Sequence, residues 1–387
     1  MAGPRAVKTA DASPWIPLLA EYRLTLLPFD NVLEGTLLSH LDAASPEVVE
    51  ALASWPGPAY LQSGDGVTHV VLVYQARNVP KRWPWMHAAL FVMTLLTTLA
   101  AGALMAGSDP FGTEVLSVGE MSIPYPSGVD WGILALGAPF ALPFLGVLLA
   151  HEMGHYAAAR IHRVRVTLPY FIPFPPYFSI IGTIGAFIRL LGPTVRRATL
   201  FDVGSAGPLA SFLVSLPLLA VGLQWSVPIP GSASLATPFA IQFAGQTVWM
   251  GNGLLTHLLA EWLAPAEVGE ALLLLHPLAL VGWLGLFVTA LNLLPLGQLD
   301  GGHIVYALAP RRHGGAARLF VLGLIPLGFV WWGWWAWAAV VLVVSRGRIR
   351  HPTVLQPEPD IGATRRALGR VLIVMFFVTF VPVPLHL

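Results

Sequence analysis

The sequence predicts a polytopic α-helical membrane protein of about six or seven crossings or hairpin helices. A small N-terminal α+β domain precedes the helices, and one segment has the makings of a re-entrant β structure. Three observations carry this fold class. Of 387 residues, 56% are hydrophobic and 11% charged, whereas soluble domains carry about 25% charged residues. The mean hydropathy is +0.70. Apolar runs approaching or exceeding the roughly 20 residues that a helix needs to cross the hydrocarbon recur along the chain, and the loops between them alternate in charge.

Residues 1–85 form the one sizeable stretch of ordinary soluble composition. Ser45–Trp55 reads as a helix capped by Ser45, with Pro46 at its first position. Tyr60–Gln75 reads as two strands around the turn Gly64-Asp65-Gly66. This domain, expected to act in regulation or substrate choice, ends where Lys81-Arg82-Trp83-Pro84-Trp85 marks the membrane edge. Residues 1–14 lack both the apolar core of a signal peptide and the Arg/Ser-rich pattern of a transit peptide, so the chain is expected to be used whole.

The spans are read at 86–107, 131–159, 203–223, 271–297, 316–344 and 368–386. Loops 108–130 and 224–270 hold acidic residues and neither Lys nor Arg, while 160–200 holds Arg160, Arg163, Arg165, Arg189, Arg196 and Arg197. The positive-inside rule then puts the N-terminal domain and 160–200 in the cytoplasm and the two acidic loops outside. A basic block also follows 316–344. Pro326, Gly328 and Gly333 interrupt that segment, which is read as a helical hairpin returning to its own side. The core is thus 86–345, and 346–387 is a basic linker with a last transmembrane helix. The location expected is a bacterial plasma membrane.

A net charge of +1 argues against nucleic acid as a partner. Absence of cysteine excludes disulfides and thiolate ligands, so any metal must sit on His, Asp or Glu. His151-Glu152-Met153-Gly154-His155 is an HExxH motif. On a helix, positions i and i+4 share a face, so both imidazoles can hold one Zn²⁺. Glu152 is then placed to act as general base on a water at the metal. The motif closes an apolar run, where ionisable residues are costly and mark function. Catalytic zinc takes three protein ligands, and the best candidate for the third is Asp300. The spans carrying His151 and Asp300 both run from outside to inside, so their cytoplasmic ends can meet at one depth.

HExxH in an early span, followed by N-x-x-P-x-x-x-x-D-G from Asn292 to Gly301, resembles the site-2 protease family of intramembrane zinc metalloproteases. The likeness covers 86–345. Asp202–Pro208 and Leu293–Gly302 bring it nearest the bacterial and chloroplast branch. The resemblance implies one zinc per chain held by His151, His155 and Asp300, with Glu152 as catalytic base. It also implies a transmembrane protein as substrate, in the lipid bilayer, while the loop charges put the site toward the cytoplasmic side. No oligomeric state follows.

Around this centre, Asn292 reads either as a donor to a developing oxyanion or substrate backbone, or as an interhelical hydrogen bond. Pro295 either kinks its helix or leaves unwound backbone. Gly204, Ala206, Gly207 and Ala210 read as a close-packing face, Asp202 as a helix cap, and His303 as a neighbour of the site. Residues 166–192 begin with prolines and turn β-branched and apolar. They read as a strand or hairpin whose edge can pair with unwound substrate, or as a surface loop. Two other function classes compete. A metal-ion transporter would string polar residues through the membrane and leave Glu152 without a role. A non-catalytic membrane binder would not need Glu152 at all.

Overall fold

The computed structural model describes residues 14–26, 30–64, 66–75, 83–118, 121–191, 196–230, 237–265, 272–297, 299–344 and 361–386. Lys81-Arg82, Asp65 of the predicted turn, Arg346, Arg348 and Arg350 of the basic linker, and the stretch preceding Pro14 lie outside these residues.

The N-terminal domain is α+β, as expected. Strands β1 (Leu19–Leu26), β2 (Asp30–Leu37), β3 (Ala59–Gly64) and β4 (Val67–Gln75) form an antiparallel sheet in the order β1-β2-β4-β3, with α1 (Pro46–Ser54) between β2 and β3 in sequence. Leu33 and Leu72 of the sheet, Val48 of α1 and Trp15 make one buried cluster. Ser45 and Pro46 start α1 as the sequence indicated, though the Ser45 hydroxyl donates to Asp42 rather than accepting from the helix.

Beyond it come α2 (Pro84–Met105), the hairpin β5 (Phe111–Val118) and β6 (Met121–Val129), and α3 (Trp131–Ala135). Then follow α4 (Ala138–Ile161), β7 (Tyr170–Pro173), β8 (Thr183–Phe187), α5 (Arg197–Gln224) and β9 (Val227–Ile229). The chain continues through β10 (Phe239–Phe243), β11 (Gln246–Met250), α6 (Leu254–Leu263), β12 (Leu272–Leu274), α7 (Pro277–Asn292) and α8 (Asp300–Leu308). It closes with α9 (Pro310–Val330), α10 (Gly333–Val344), α11 (Ala363–Thr379) and β13 (Leu385–His386).

Among the described residues, α2, α5 and α9 are long and apolar enough to cross a membrane. The six or seven crossings expected are not reached on that measure. The predicted span 131–159 is broken after α3, and the helix that continues it, α4, carries the polar motif residues. The predicted span 271–297 holds a strand, β12, and only the 16-residue helix α7. Segment 316–344 folds back as the hairpin α9–α10, with the Trp335 indole donating to the carbonyl of Ile325. Leu319, Leu322 and Phe329 on α9 are 73%, 61% and 78% exposed, an outward apolar stripe suited to lipid.

Helix α5 is the centre, packed between α4 and α7. Its glycines let backbones approach: a side chain at Gly222 would meet Ala279, and Gly154 of α4 lies against Ala206. One end of the bundle is closed by a five-stranded sheet, β13-β11-β10-β12-β9, whose strands β9 to β11 fall in a predicted loop and whose β12 and β13 fall in predicted spans. Phe239, Ile241 and Met250 of that sheet join Phe140, Phe144, Leu219, Leu223 and Trp283 in the largest core cluster. The opposite end is where α4 and α7 both terminate. They run in the same direction, as the pairing of their polar residues requires.

β7 and β8 pair antiparallel, Tyr170 opposite Phe187 and Ile172 opposite Gly185. The hairpin lies along α2. At its base, the Tyr170 ring is 4.1 Å from that of His87, and Phe171 is 5.1 Å from Phe91. Gly182 has φ +69° and lies against the backbone of Thr97 and Thr98, so the turn needs glycine twice over. At the tip, Tyr177 donates to Asp109, beyond the far end of α2. Residues 160–200 therefore do not all lie at one end, which corrects the reading from loop charge. The arginines sit at the base, and 166–188 contains no charged residue to hold the hairpin there.

Candidate metal centre

His151 and His155 lie one turn apart on α4 with their Nε2 atoms 3.1 Å from each other. Asp300, the first residue of α8, places Oδ2 3.3 Å from each of those nitrogens. The approach is built by the chain around it. α7 ends at Asn292 and α8 begins at Asp300, and Leu293–Gly297 is not helical, so Pro295 sits in unwound backbone rather than at a kink. A side chain at Gly301 would meet the Leu293 carbonyl, and one at Gly302 the Leu296 backbone. The paired glycines let the first turn of α8 close onto this loop, which carries Asp300 to α4.

Both imidazoles are anchored through their other nitrogen. His155 Nδ1 donates to the Val203 carbonyl at 2.7 Å, and His151 Nδ1 lies 3.1 Å from Ser211 Oγ. That leaves both Nε2 atoms and a carboxylate oxygen facing one point. Tetrahedral zinc with ligands about 2.0–2.1 Å away separates them by about 3.3 Å. The donor triangle therefore fits a zinc ion, with two neutral nitrogens, one anion and an open side. It is the one group of three or more such donors found among the described residues.

The open side is a cavity of about 230 Å³ lined by the three donors, Glu152, Asn292 and His303 among others. Glu152 is buried and accepts a hydrogen bond from the Ile188 N–H. Asn292 Nδ2 is 3.3 Å from His151 Nε2. Thus His151, Glu152, His155, Asn292 and Asp300 all gather here, and His303 lines the wall outside the donor triangle. Asp202 does not cap α5, which begins five residues earlier at Arg197. It instead takes a bidentate pair from Arg365 at 2.7 Å, and His162 at 2.8 Å. Gly207 has a use beyond packing: a side chain there would strike the His155 ring. The Val203 carbonyl, the Ile188 N–H and Ser211 were missed by sequence reasoning. Main-chain groups leave no trace in composition, and Ser211 shows only as one hydroxyl in an apolar span.

The sequence pattern of peptidase family M50 matches residues 139–323, which contain the whole centre. By that match and by its relatives the chain resembles that family. The resemblance to site-2 proteases is borne out, and a chloroplast-like branch fits the M50 relatives. A protein of Arabidopsis thaliana named probable zinc metalloprotease EGY1, chloroplastic, is 32% identical over 270 residues, covering 68% of this chain and 45% of its own. Its namesake in Oryza sativa subsp. japonica is 31% identical over 244 residues, covering 63% of this chain and 40% of its own. A third, probable zinc metalloprotease EGY3, chloroplastic, of Oryza sativa subsp. indica, is 26% identical over 381 residues, covering 91% of this chain and 60% of its own. The chain spans less than half the length of the first two. No solved structure matches it. Family and apolar helices together make it a membrane protein. Relatives named as chloroplastic give no support to a bacterial plasma membrane.

Proposed function

We propose that this protein is an intramembrane zinc metalloprotease hydrolysing a peptide bond within or near a transmembrane segment of a membrane-protein substrate. The observation that carries the reading is the convergence of Asp300, distant in sequence, on His151 and His155 at separations that suit zinc. Glu152 stands beside them. Held by His151, His155 and Asp300, a zinc ion would supply a lowered pKa for water and polarisation of the scissile carbonyl. Glu152, oriented by the Ile188 N–H, takes a proton from the attacking water and passes it to the leaving amine. Asn292 donates to the oxyanion or to substrate backbone from across the cavity. The cavity of about 230 Å³ beside these residues leaves room for water.

A substrate helix must unwind before its carbonyl can be reached, and unwound backbone needs hydrogen-bond partners in a dry place. The edge of β8 nearest the cavity offers them. We place the active site at the end of the bundle that shares the basic loops, the cytoplasmic side by the positive-inside rule. The N-terminal domain, with its own core, is assigned to regulation or substrate choice. A transporter fits less well, because the metal donors lie at one depth and Glu152 would be left without a task.

The test separates ligands from base. Asp300→Ala should strip zinc from the purified protein, whereas Glu152→Gln should keep one zinc per chain. Glu152→Gln should slow cleavage about 100- to 10,000-fold. Cells carrying it should accumulate membrane proteins that wild-type cells clear. Normal zinc content in Asp300→Ala rejects the third ligand, and unchanged membrane proteins with Glu152→Gln reject the protease.

A further inference from the structure

An imidazole that binds a metal through one nitrogen is held in its tautomer by whatever its other nitrogen bonds. For His155 that partner is the Val203 carbonyl, which can only accept. For His151 it is the Ser211 hydroxyl, which can donate or accept. The direction follows from counting hydrogens, since each hydroxyl carries one. Thr289 Oγ1 lies 2.7 Å from the Gly285 carbonyl, one turn back on α7, and only the threonine can donate in that contact. Thr289 then has lone pairs alone to offer Ser211 Oγ, 2.8 Å away, so the Ser211 hydrogen fills that second contact. Ser211 is left to accept from His151 Nδ1–H. His151 Nε2 consequently carries its lone pair toward His155 Nε2 and Asp300. His151, Ser211 and Thr289 are 5%, 2% and 0% exposed, so bulk water does not compete for these contacts.

We infer that Ser211 and Thr289 are positioning residues of the metal centre. They form a directed relay, Gly285 carbonyl to Thr289 to Ser211 to His151, that fixes one ligand in its metal-binding tautomer. The relay also ties α4, α5 and α7 together at the depth of the site. Ser211 additionally lies 3.2 Å from the Gly207 and Pro208 carbonyls of its own helix. Those contacts give its hydrogen a second home when Thr289 is removed, so Thr289 matters less than Ser211. The inference rests on the metal-centre reading above.

The experiment measures metal affinity on the full-length protein in detergent, with Co²⁺ absorption spectra and Zn²⁺ competition against a chelator. Ser211→Ala should weaken zinc roughly 10- to 100-fold, the usual effect of losing a partner of a metal-bound histidine, and should alter the Co²⁺ spectrum. Thr289→Val should weaken it less, and Thr289→Ser should restore it. The double variant should match Ser211→Ala alone, because Thr289 acts through Ser211. Wild-type affinity in Ser211→Ala overturns the relay. So do independent, additive losses in the double variant, which a mere packing role at the α5–α7 contact would give. If Ser211→Ala does not fold, equal affinities in Thr289→Val and Thr289→Ser overturn it instead. If the wild-type protein takes up neither ion, the metal centre itself fails and the relay falls with it.

Discussion

Tyr177 donates to both oxygens of Asp109 at 2.8 Å, and this one contact decides where the end of the β7–β8 hairpin lies. Partial burial, then the bond to Asp109, then its negative charge push the phenol up to about 12, from an ordinary value of about 10. The sign follows. A group whose folded-state pKa is raised contributes stability that is full below its unfolded value and disappears as pH climbs through the folded one. The tip contact should therefore hold to about pH 10 and be lost toward pH 12. Subtracting the phenolate absorbance titration of Tyr177→Phe from that of the wild type isolates one tyrosine among 8. Its midpoint should fall near 12. A midpoint at the ordinary value means the bond to Asp109 does not form in solution. At the same scale, glycine matters by what it leaves out. Gly207 clears the His155 ring and Gly301 the Leu293 carbonyl, and each absence sets where a ligand can stand.

Among elements, the β7–β8 hairpin is the one on which the proposed edge pairing rests. Residue groups along a strand point alternately to its two sides. The Arg189 carbonyl and Leu191 N–H face residues 165–167, while the Ile188 N–H faces Glu152 on the opposite side. Ala186 then shares the open edge with Ile188, toward the cavity both of them line. Gly185 is a poorer probe, since its N–H is already bonded to Thr183 Oγ1. Ala186→Pro should remove one edge donor, keep zinc, and cut cleavage about 2- to 13-fold, as loss of one hydrogen bond of about 0.5–1.5 kcal/mol implies. Wild-type cleavage by that variant ends the edge-pairing idea. The hairpin was half legible, because its prolines forbid helix and its β-branched run favours strand. The HExxH face was fully legible, since i,i+4 geometry is local. The sheet that closes the other end was not. Its strands are three to five residues or shorter, and Leu385 pairs with Met250, far off in sequence. Nothing local marks such a partner. Ser211 and Thr289 were hidden for a similar reason, as lone hydroxyls in apolar helices become meaningful only once helices are packed.

At the scale of the whole molecule, the chain places polar chemistry at one end of α4, α5 and α7 and a closed sheet at the other. α2 is 22 residues long and α9 is 21, about 32 Å each at 1.5 Å per residue, matching a hydrocarbon core of about 30 Å. The hairpin spans the same depth beside α2, from His87 at its base to Asp109 at its tip. Loop charge alone would put Arg160 and Phe178 on the same side of the membrane, whereas the structure separates them by the length of α2. The absence of cysteine makes the distinction measurable with single introduced thiols and a membrane-impermeant maleimide. Glu50→Cys and Arg160→Cys should label from one face only. Phe178→Cys, at a site 82% exposed, and Trp332→Cys, at 68% exposed in the α9–α10 turn, should label from the other. Labelling of Phe178→Cys from the Arg160 face would return the hairpin to the membrane surface. The same result at Trp332 would leave α9 short of the far side, and the hairpin–helix pairing seen along α2 would then need a thinner membrane than about 30 Å.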